Sequence, residues 1–355
     1  MNYKNYLAKE VKIQNFKISK NSKTFIVAEI SANHGGKIKN VFRSIDYLKK
    51  IGVNAVKIQS YEADTLTLNS KSKRFFINDK SIWKGKYLYD LYKSAQTPFS
   101  WHKRIFNYSK KKGIICFSSP FDKNSVNILE KLKCPAYKIA SPEIQDLDLI
   151  GYIAKKRKPI IISTGIADID DIELALKECK KNKNNKIILL NCISSYPARR
   201  HELNLNYINL LKNYTDLVGY SDHFIGDEAS LISVGIGAKV IEKHFILNKN
   251  IKSPDRIFSM DRNEFRLFVK KIRETELALG TTKVNKKVLL RNKLKTITRS
   301  LFYLKDLKKN EKITKKNIKS FRPGIGISPN QINLILGKKL KKNVKKHSPV
   351  QKKHV

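Results

Sequence analysis

The chain reads as an α/β protein, a (β/α)8 TIM barrel followed by a small C-terminal domain of short strands. Three observations predict this. Eight short apolar runs fall within the first 245 residues, with helix-like segments between them. The runs close on polar side chains, and the C-terminal ends of the strands are where such a barrel keeps its active site. A barrel needs about 250 residues, and the 355 present leave material for a second domain.

The elements follow in order. Residues 1–24 precede the first barrel strand, and VKIQNFKI within them alternates like a short hairpin placed to plug the barrel's bottom. FIVAEISANH (25–34) is the first strand and carries Glu29, and VFRSIDYLKKIG (41–52) is the helix after it. NAVKIQS (54–60) is the second; Lys57 and Gln59 stand two apart, so both side chains point to the same side. IICFSSP (114–120) ends at Ser119, and SVNILEKLK (125–133) is again helical. PAYKIASPE (135–143) supplies Lys138, Ser141 and Glu143, and KPIIISTG (158–165) supplies Ser163. KIILLNCISSYP (186–197) brings Tyr196, DLVGYSDH (216–223) His223, and AKVIEKHF (238–245) Glu242 and His244. NEFRLFVKKIRETELALG closes the barrel with Gly280 as its C-cap.

These boundaries give a barrel domain over 1–280, a linker over 281–296 and a second domain over 297–355. The linker, TTKVNKKVLLRNKLKT, is polar, basic and aperiodic. The last segment has a turn at Lys309-Asn310 and a GIG turn at Gly324–Gly326. A unit this small is marginal alone, so it is expected to pack on a neighbouring subunit.

The net charge of +43 raises the question of nucleic acid. Arginine accounts for 13 of the 73 basic residues, leaving 73 − 13 = 60 lysines. Base and phosphate recognition favours arginine's planar fork, so the excess reads as lysine drifting onto solvated faces. A nucleic-acid partner is therefore not expected. No apolar stretch reaches the roughly 20 residues of a membrane helix, and no apolar signal core is present. Cys116, Cys134, Cys179 and Cys192 form no CxxC pair, which suits reduced thiols in a cytoplasm.

The polar strand ends define a chemistry. A buried Lys57 or Lys138 could hold a carboxylate or phosphate, or form a Schiff base. Ser119, Ser141 and Ser163 offer hydroxyls of the kind that grip phosphate oxygens. His223 and His244 end strands seven and eight, neighbours in a closed barrel, and suit Mn²⁺, Fe²⁺ or Zn²⁺ completed by water and substrate oxygen. Glu242 shares a strand face with His244 and could orient it or bind substrate. His34 reads as a substrate contact; His102, His201, His347 and His354 read as surface residues. The residues fit condensation of a phosphorylated enol with an aldehyde, and fit a Schiff-base aldolase as well.

AEISANHGG, VKIQS, FSSPFD, YKIASPE, STG, SSYP, GYSDH and IEKHF, in that order, resemble the sialic acid synthase family almost strand for strand. SLFYLKDLKKNEKITKKNIKSFRPGIGISP resembles that family's antifreeze-like (SAF, β-clip) domain. The likeness runs from about residue 12 to 350. It implies an enzyme that joins phosphoenolpyruvate to an open-chain N-acetylated amino sugar and releases phosphate. By motif, Lys138, Ser141, Ser163 and Ser119 would bind phosphoenolpyruvate, with Lys57 and Gln59 holding its neighbourhood and the sugar. Asn33, Ser194, Tyr196, Ser221 and Glu242 would line the substrate site. His223 and His244 would ligate a divalent metal, Mn²⁺ first, with Mg²⁺ or Co²⁺ as alternatives. Glu143 would activate water, and Glu29 would fix a sugar hydroxyl or metal water. The resemblance further implies a homodimer that exchanges SAF domains, so that Arg322 reaches the partner's site.

The segment FFINDKSIWKGKYLYDLYKSAQTPFSWH resembles the pseudaminic acid synthase branch. Its rings, Trp83, Tyr87, Tyr89, Tyr92 and Trp101, would give an apolar wall to the methyl and acetamido groups of 6-deoxy-2,4-diacetamido-altrose, the others packing the loop. Phe224, Ser194 and Arg256 depart from the family pattern. The alternatives are a legionaminic or N-acetylneuraminic acid synthase, and a polyanion-binding protein on a disabled barrel. Residues 281–355 carry 23 basic and 2 acidic side chains, 23 − 2 = +21.

Overall fold

A computed structural model describes residues 3–79, 81–280, 290 and 293–355. Eight parallel strands close a barrel in chain order. They are β3 (Phe25–Glu29), β4 (Ala55–Ser60), β5 (Ile115–Pro120), β6 (Tyr137–Ile139), β7 (Ile160–Ser163), β8 (Ile187–Cys192), β9 (Val218–Asp222) and β10 (Val240–His244). All eight runs form strands where expected. β3, β5, β7, β8, β9 and β10 are buried at every position, because side chains fill the barrel on one face and helices cover the other. That explains why they read as continuous apolar runs rather than as alternations.

The seam pairs β10 with β3, setting His244 opposite Glu29. β1 (Glu10–Ile13) and β2 (Phe16–Ser19) form the expected antiparallel hairpin. Ile13 and Ile18 are fully buried, and the Phe16 ring lies 5.0 Å from that of Phe25, the first residue of β3. The hairpin therefore sits at the N-terminal end of the barrel, opposite the strand ends that carry the polar residues.

The connecting helices start on aspartates where the sequence offers them. Asp122, Asp168 and Asp261 accept backbone N–H bonds from the first turns of helices Lys123–Lys131, Ile169–Lys181 and Arg262–Leu279. Gly280 ends the last of these with φ +59, a conformation that a glycine adopts without strain. Among the described residues no helix is long and apolar enough to cross a membrane. The four cysteines are free and buried.

The chain divides into two compact units, Met1–Gly280 and Thr281–Val355. Of the stretch read as a linker, 281–289, 291 and 292 lie outside the described residues. The second unit pairs β11 (Ser300–Tyr303) with β12 (Ile318–Phe321) in antiparallel register. It builds its own core from Leu301, Tyr303, Leu307, Ile313, Ile318, Leu340 and Val350. Asn310 turns the chain at φ +71.

Two histidines are not the surface residues that the sequence suggested. His354 is buried in the second unit, its Nδ1 3.3 Å from the Tyr303 hydroxyl. His102 is fully covered. Its Nδ1–H donates to Pro98 O at 3.1 Å, which leaves Nε2 to accept from Ser60 Oγ at 2.7 Å. It belongs to a buried stripe of helix Phe99–Lys112 made with Ile105, Phe106 and Ser109.

Candidate active site

Strand register brings the ionisable residues to one level. Glu29 stands opposite Lys57 between β3 and β4, and Ser221 opposite Glu242 between β9 and β10. Lys138 reaches in from β6. Glu242 Oε1 is the hub, with Lys138 Nζ at 3.0 Å, Ser221 Oγ donating at 3.1 Å and Lys57 Nζ at 3.3 Å. Lys57 also contacts Glu29 Oε2 and donates to Ser119 Oγ at 3.3 Å. The other Glu29 oxygen accepts from Ser31 N at 2.6 Å. Two ammoniums and two carboxylates thus meet where each is 4% exposed or less, and charge there is costly to leave unpaired.

Burial and pairing sort these groups. Burial would raise the Glu242 carboxyl, but Lys138 and Lys57 outweigh it and hold it at about 2. Burial pushes Glu29 up to about 7 against the pull of Lys57. Lys57 is raised despite its burial because Glu242 and Glu29 flank it. Lys138 is lowered by burial, with Lys57 adding to the effect and Glu242 opposing it. Lys57 and Lys138, on either side of Glu242, give the cluster the N–H donors that an anionic ligand requires.

His223 and His244 bring their rings to 5.4 Å, centroid to centroid. His223 Nδ1 lies 2.8 Å from Ile193 O, and a carbonyl only accepts, so this nitrogen carries the proton and Nε2 keeps its lone pair. His244 Nδ1 is buried without a hydrogen-bond partner, 3.8 Å from Asp255 Oδ2. Burial lowers both imidazoles, His223 to about 4 and His244 well below its usual value, so both are neutral ligands at pH 7. This donor set fits a divalent cation held by two imidazoles with the rest of its shell from water or substrate. Among the described residues no three His, Cys, Asp or Glu side chains form a site of their own.

The same strand ends open into a cavity of about 870 Å³. Gln59, Ser141, Glu143, Ser163, Ser194 and Tyr196 line it together with the charged cluster and both histidines. Ser163 Oγ is buried without a partner. Ser141 Oγ accepts from Ile166 N at 2.9 Å and from Ser194 Oγ at 3.1 Å, so its own proton is free for a ligand. Glu143 is partly buried with Oε2 unpaired, and burial raises its carboxyl to about 7.

Some residues singled out from the sequence are placed elsewhere. Ser119 sits behind the wall, touching Lys57. Asn33 spends its amide on Phe245 O, Ser259 Oγ and Ser253 Oγ, tying two loops together. His34 takes Gly36 N on Nδ1 and donates from Nε2 to Ala95 O, which leaves no nitrogen for a ligand. Arg322 is exposed in the second unit. Of the five aromatics, Trp83 and Tyr92 face the cavity. Tyr87 packs on Phe76, Tyr89 bonds Asp64, and Trp101 meets His34 edge-on.

Sequence reasoning missed Asp255 as a lining residue. It is buried beside His244, and its carboxyl is raised by burial. It lies in a loop without periodicity, where spacing gives no direction to a side chain. Leu66, Ile77, Ile82, Leu88 and Leu91 were missed too and make one side of the wall apolar.

Comparison with known proteins is consistent along the chain. The NeuB family model matches residues 44–284 and the SAF domain model residues 298–355. The pseudaminic acid synthase of Campylobacter jejuni subsp. jejuni serotype O:2 is 43% identical over 338 residues, covering 94% of this chain and 97% of that protein. The N,N'-diacetyllegionaminic acid synthase of the same organism is 35% identical over 326 residues, covering 91% and 97%. The crystal structure of the N-acetylneuraminic acid synthetase from Leptospira borgpetersenii superposes with a TM-score of 0.71 at 30% identity, covering 81% of this chain and 98% of that one.

Proposed function

The chain belongs to the NeuB family, and we propose from this that it condenses phosphoenolpyruvate with open-chain 6-deoxy-2,4-diacetamido-altrose to give pseudaminic acid and phosphate. The observation that carries the reading is the buried Lys57–Glu242–Lys138 hub beside two neutral imidazoles at the strand ends. The two Campylobacter enzymes support the choice of sugar. They come from one organism, so the step from 43% to 35% identity follows enzyme type rather than species distance.

In this reading Lys138, Lys57 and the hydroxyls of Ser141 and Ser163 hold the phosphate and carboxylate of phosphoenolpyruvate, while Ser119 accepts from Lys57 behind them. His223 and His244 would hold a divalent cation, Mn²⁺ in our proposal, whose Lewis acidity polarises the sugar aldehyde. C3 of phosphoenolpyruvate bonds to the aldehyde carbon, and the aldehyde oxygen becomes a hydroxyl. C2 is left oxocarbenium-like beside the carboxylate of Glu242. Glu143, its carboxyl unpaired, takes a proton from the water that adds to C2. That proton balances the one gained by the aldehyde oxygen. The tetrahedral adduct then collapses with C–O cleavage to the 2-keto acid and phosphate. Glu29 fixes a sugar hydroxyl, and Tyr196, Gln59, Ser194 and Ser221 shape the surroundings.

We also infer a homodimer in which the SAF domain and Arg322 complete the partner's site, and a cytoplasmic location in keeping with four reduced cysteines. The test is phosphate release from phosphoenolpyruvate with Mn²⁺ and three sugars in parallel: the diacetamido-altrose, the diacetamido-mannose and N-acetylmannosamine. Turnover confined to the altrose compound is the expected result. Preference for a mannose-type sugar keeps the synthase and overturns the pseudaminate assignment. Release with none of them overturns the synthase.

A further inference from the structure

A hairpin described over residues 76–79 and 81–87 supplies a part of the cavity wall that the barrel strands do not. Phe76 and Tyr87 pair across it, Ile77 N donates to Lys86 O, and Gly85 N donates to Ile77 O, both at 2.9 Å. Gly85 takes φ +88, which a side chain would resist. Inside the turn Asp79 Oδ1 accepts from Ser81 N at 2.9 Å, and Ser81 Oγ from Trp83 N at 3.3 Å. This winding sets Ile77, Ile82 and Trp83 against the cavity.

Trp83 is then fixed at two points outside its own hairpin. Its Nε1–H donates to Pro254 O at 3.1 Å, and its ring lies 5.3 Å from that of Tyr196. Tyr196 in turn packs 4.2 Å from the His223 imidazole. Pro254 immediately precedes Asp255, which faces His244. The indole therefore spans from the hairpin to both loops that flank the imidazole pair. The charged floor marks the reacting end; in the roof Ile77, Ile82 and the Trp83 indole form an apolar face, beside the polar Asp79, Ser81, Arg199 and Glu202 that also line the cavity. A sugar with its aldehyde at the imidazoles must run its remote carbons towards the roof. A hydroxyl set against the indole gives up water without gaining a partner from the ring, whereas a methyl or acetamido methyl packed there loses nothing.

We propose that Trp83 is a specificity-determining residue, whose indole, held in place by Pro254 O and Tyr196, receives the 6-deoxy end of the sugar. This rests on the synthase reading above. The experiment measures phosphate release with the 6-deoxy sugar and its C6-hydroxylated counterpart, for the unaltered protein, Trp83→Ala and Trp83→Phe, with thermal melts alongside. The unaltered protein is expected to prefer the 6-deoxy sugar by about 10–200-fold in kcat/KM. Trp83→Ala loses most of that preference through a higher KM for the 6-deoxy sugar, while the KM for phosphoenolpyruvate holds. Trp83→Phe, which keeps a ring but no N–H, falls between the two. An unchanged ratio in both variants, or equal losses with both sugars, overturns the role of Trp83 and leaves the synthase standing. If Trp83→Ala fails to melt cooperatively, the ratio in Trp83→Phe decides. An unaltered protein that turns over neither sugar overturns the synthase reading and the role of Trp83 with it.

Discussion

Glu143 and Glu29 titrate near neutrality because burial penalises their charged forms. A base must be ionised to take a proton, so kcat/KM should rise with pH to a midpoint near 7. Glu143→Gln should cut kcat by about 10²–10⁴ and remove the Glu143 part of that rise, which a pH–rate profile reads directly. Stability moves the other way. A carboxyl raised by the fold binds its proton more tightly folded than unfolded, so Glu143 weakens the fold progressively from about 4.5 up to 7. Melts of Glu143→Gln should lack that share of the slope. Glu242 is the opposite case. Glu242→Gln leaves two buried ammoniums without their shared partner, at an expected cost of about 3–5 kcal/mol, measured by urea unfolding, and with activity lost. Its position two before His244 was legible in the sequence; its place between two lysines was not, because that depends on a cross-barrel approach from β6.

At the scale of elements, the sequence made the strands and their polar ends plain because burial on both faces leaves uninterrupted apolar runs. It hid the tilt of helices under a lysine-rich surface. WHKRIFNYSKKK looks polar throughout, yet positions 102, 105, 106 and 109 are the i, i+3, i+4 and i+7 stripe that the barrel covers. Counting that stripe would have moved His102 inside. His102→Leu should remove the Nε2 acceptor from the Ser60 hydroxyl, leaving it Ser118 Oγ at 2.6 Å, and cost about 0.5–1.5 kcal/mol in urea unfolding. Gly219 shows how tightly β9 and β10 approach. A Cβ there would sit 2.3 Å from Val240 O, so Gly219→Ala must shift the strand that carries Ser221. Overpacking of this kind costs about 1–3 kcal/mol; a lowered urea midpoint and weakened turnover are the readouts. The loop residues Asp255, Ile77 and Ile82 had no period to betray them, and only the fold brings them to the cavity.

For the whole molecule, the proposed exchange of SAF domains makes a sharp prediction. If Arg322 serves the partner's site, Arg322→Ala and Glu143→Gln are each inactive as homodimers. Mixed and allowed to exchange subunits, they should regain activity, because one composite site then holds both intact residues. A mixture that stays inactive places Arg322 with its own barrel, and an active Arg322→Ala homodimer places it away from the chemistry. The +43 charge was visible from composition and is spread over solvated lysines, so self-repulsion should be screened by salt. The thermal midpoint should climb between low and physiological ionic strength.

The seam between β3 and β10 has a consequence for how the protein is born. Residues 25–29 leave the ribosome early, yet their hydrogen-bonding partners at 240–244 follow only after the intervening chain is made. At about 5–20 residues per second that interval lasts roughly 10–40 s. Throughout it Glu29 has no His244 beside it, and Lys57 and Lys138 have no Glu242 between them. A nascent or prematurely terminated chain is therefore a half-open sheet whose buried ammoniums have lost their shared counter-charge. Such a fragment can neither bind a substrate nor hide its edges, which makes it work for chaperones and proteases until the last strand arrives.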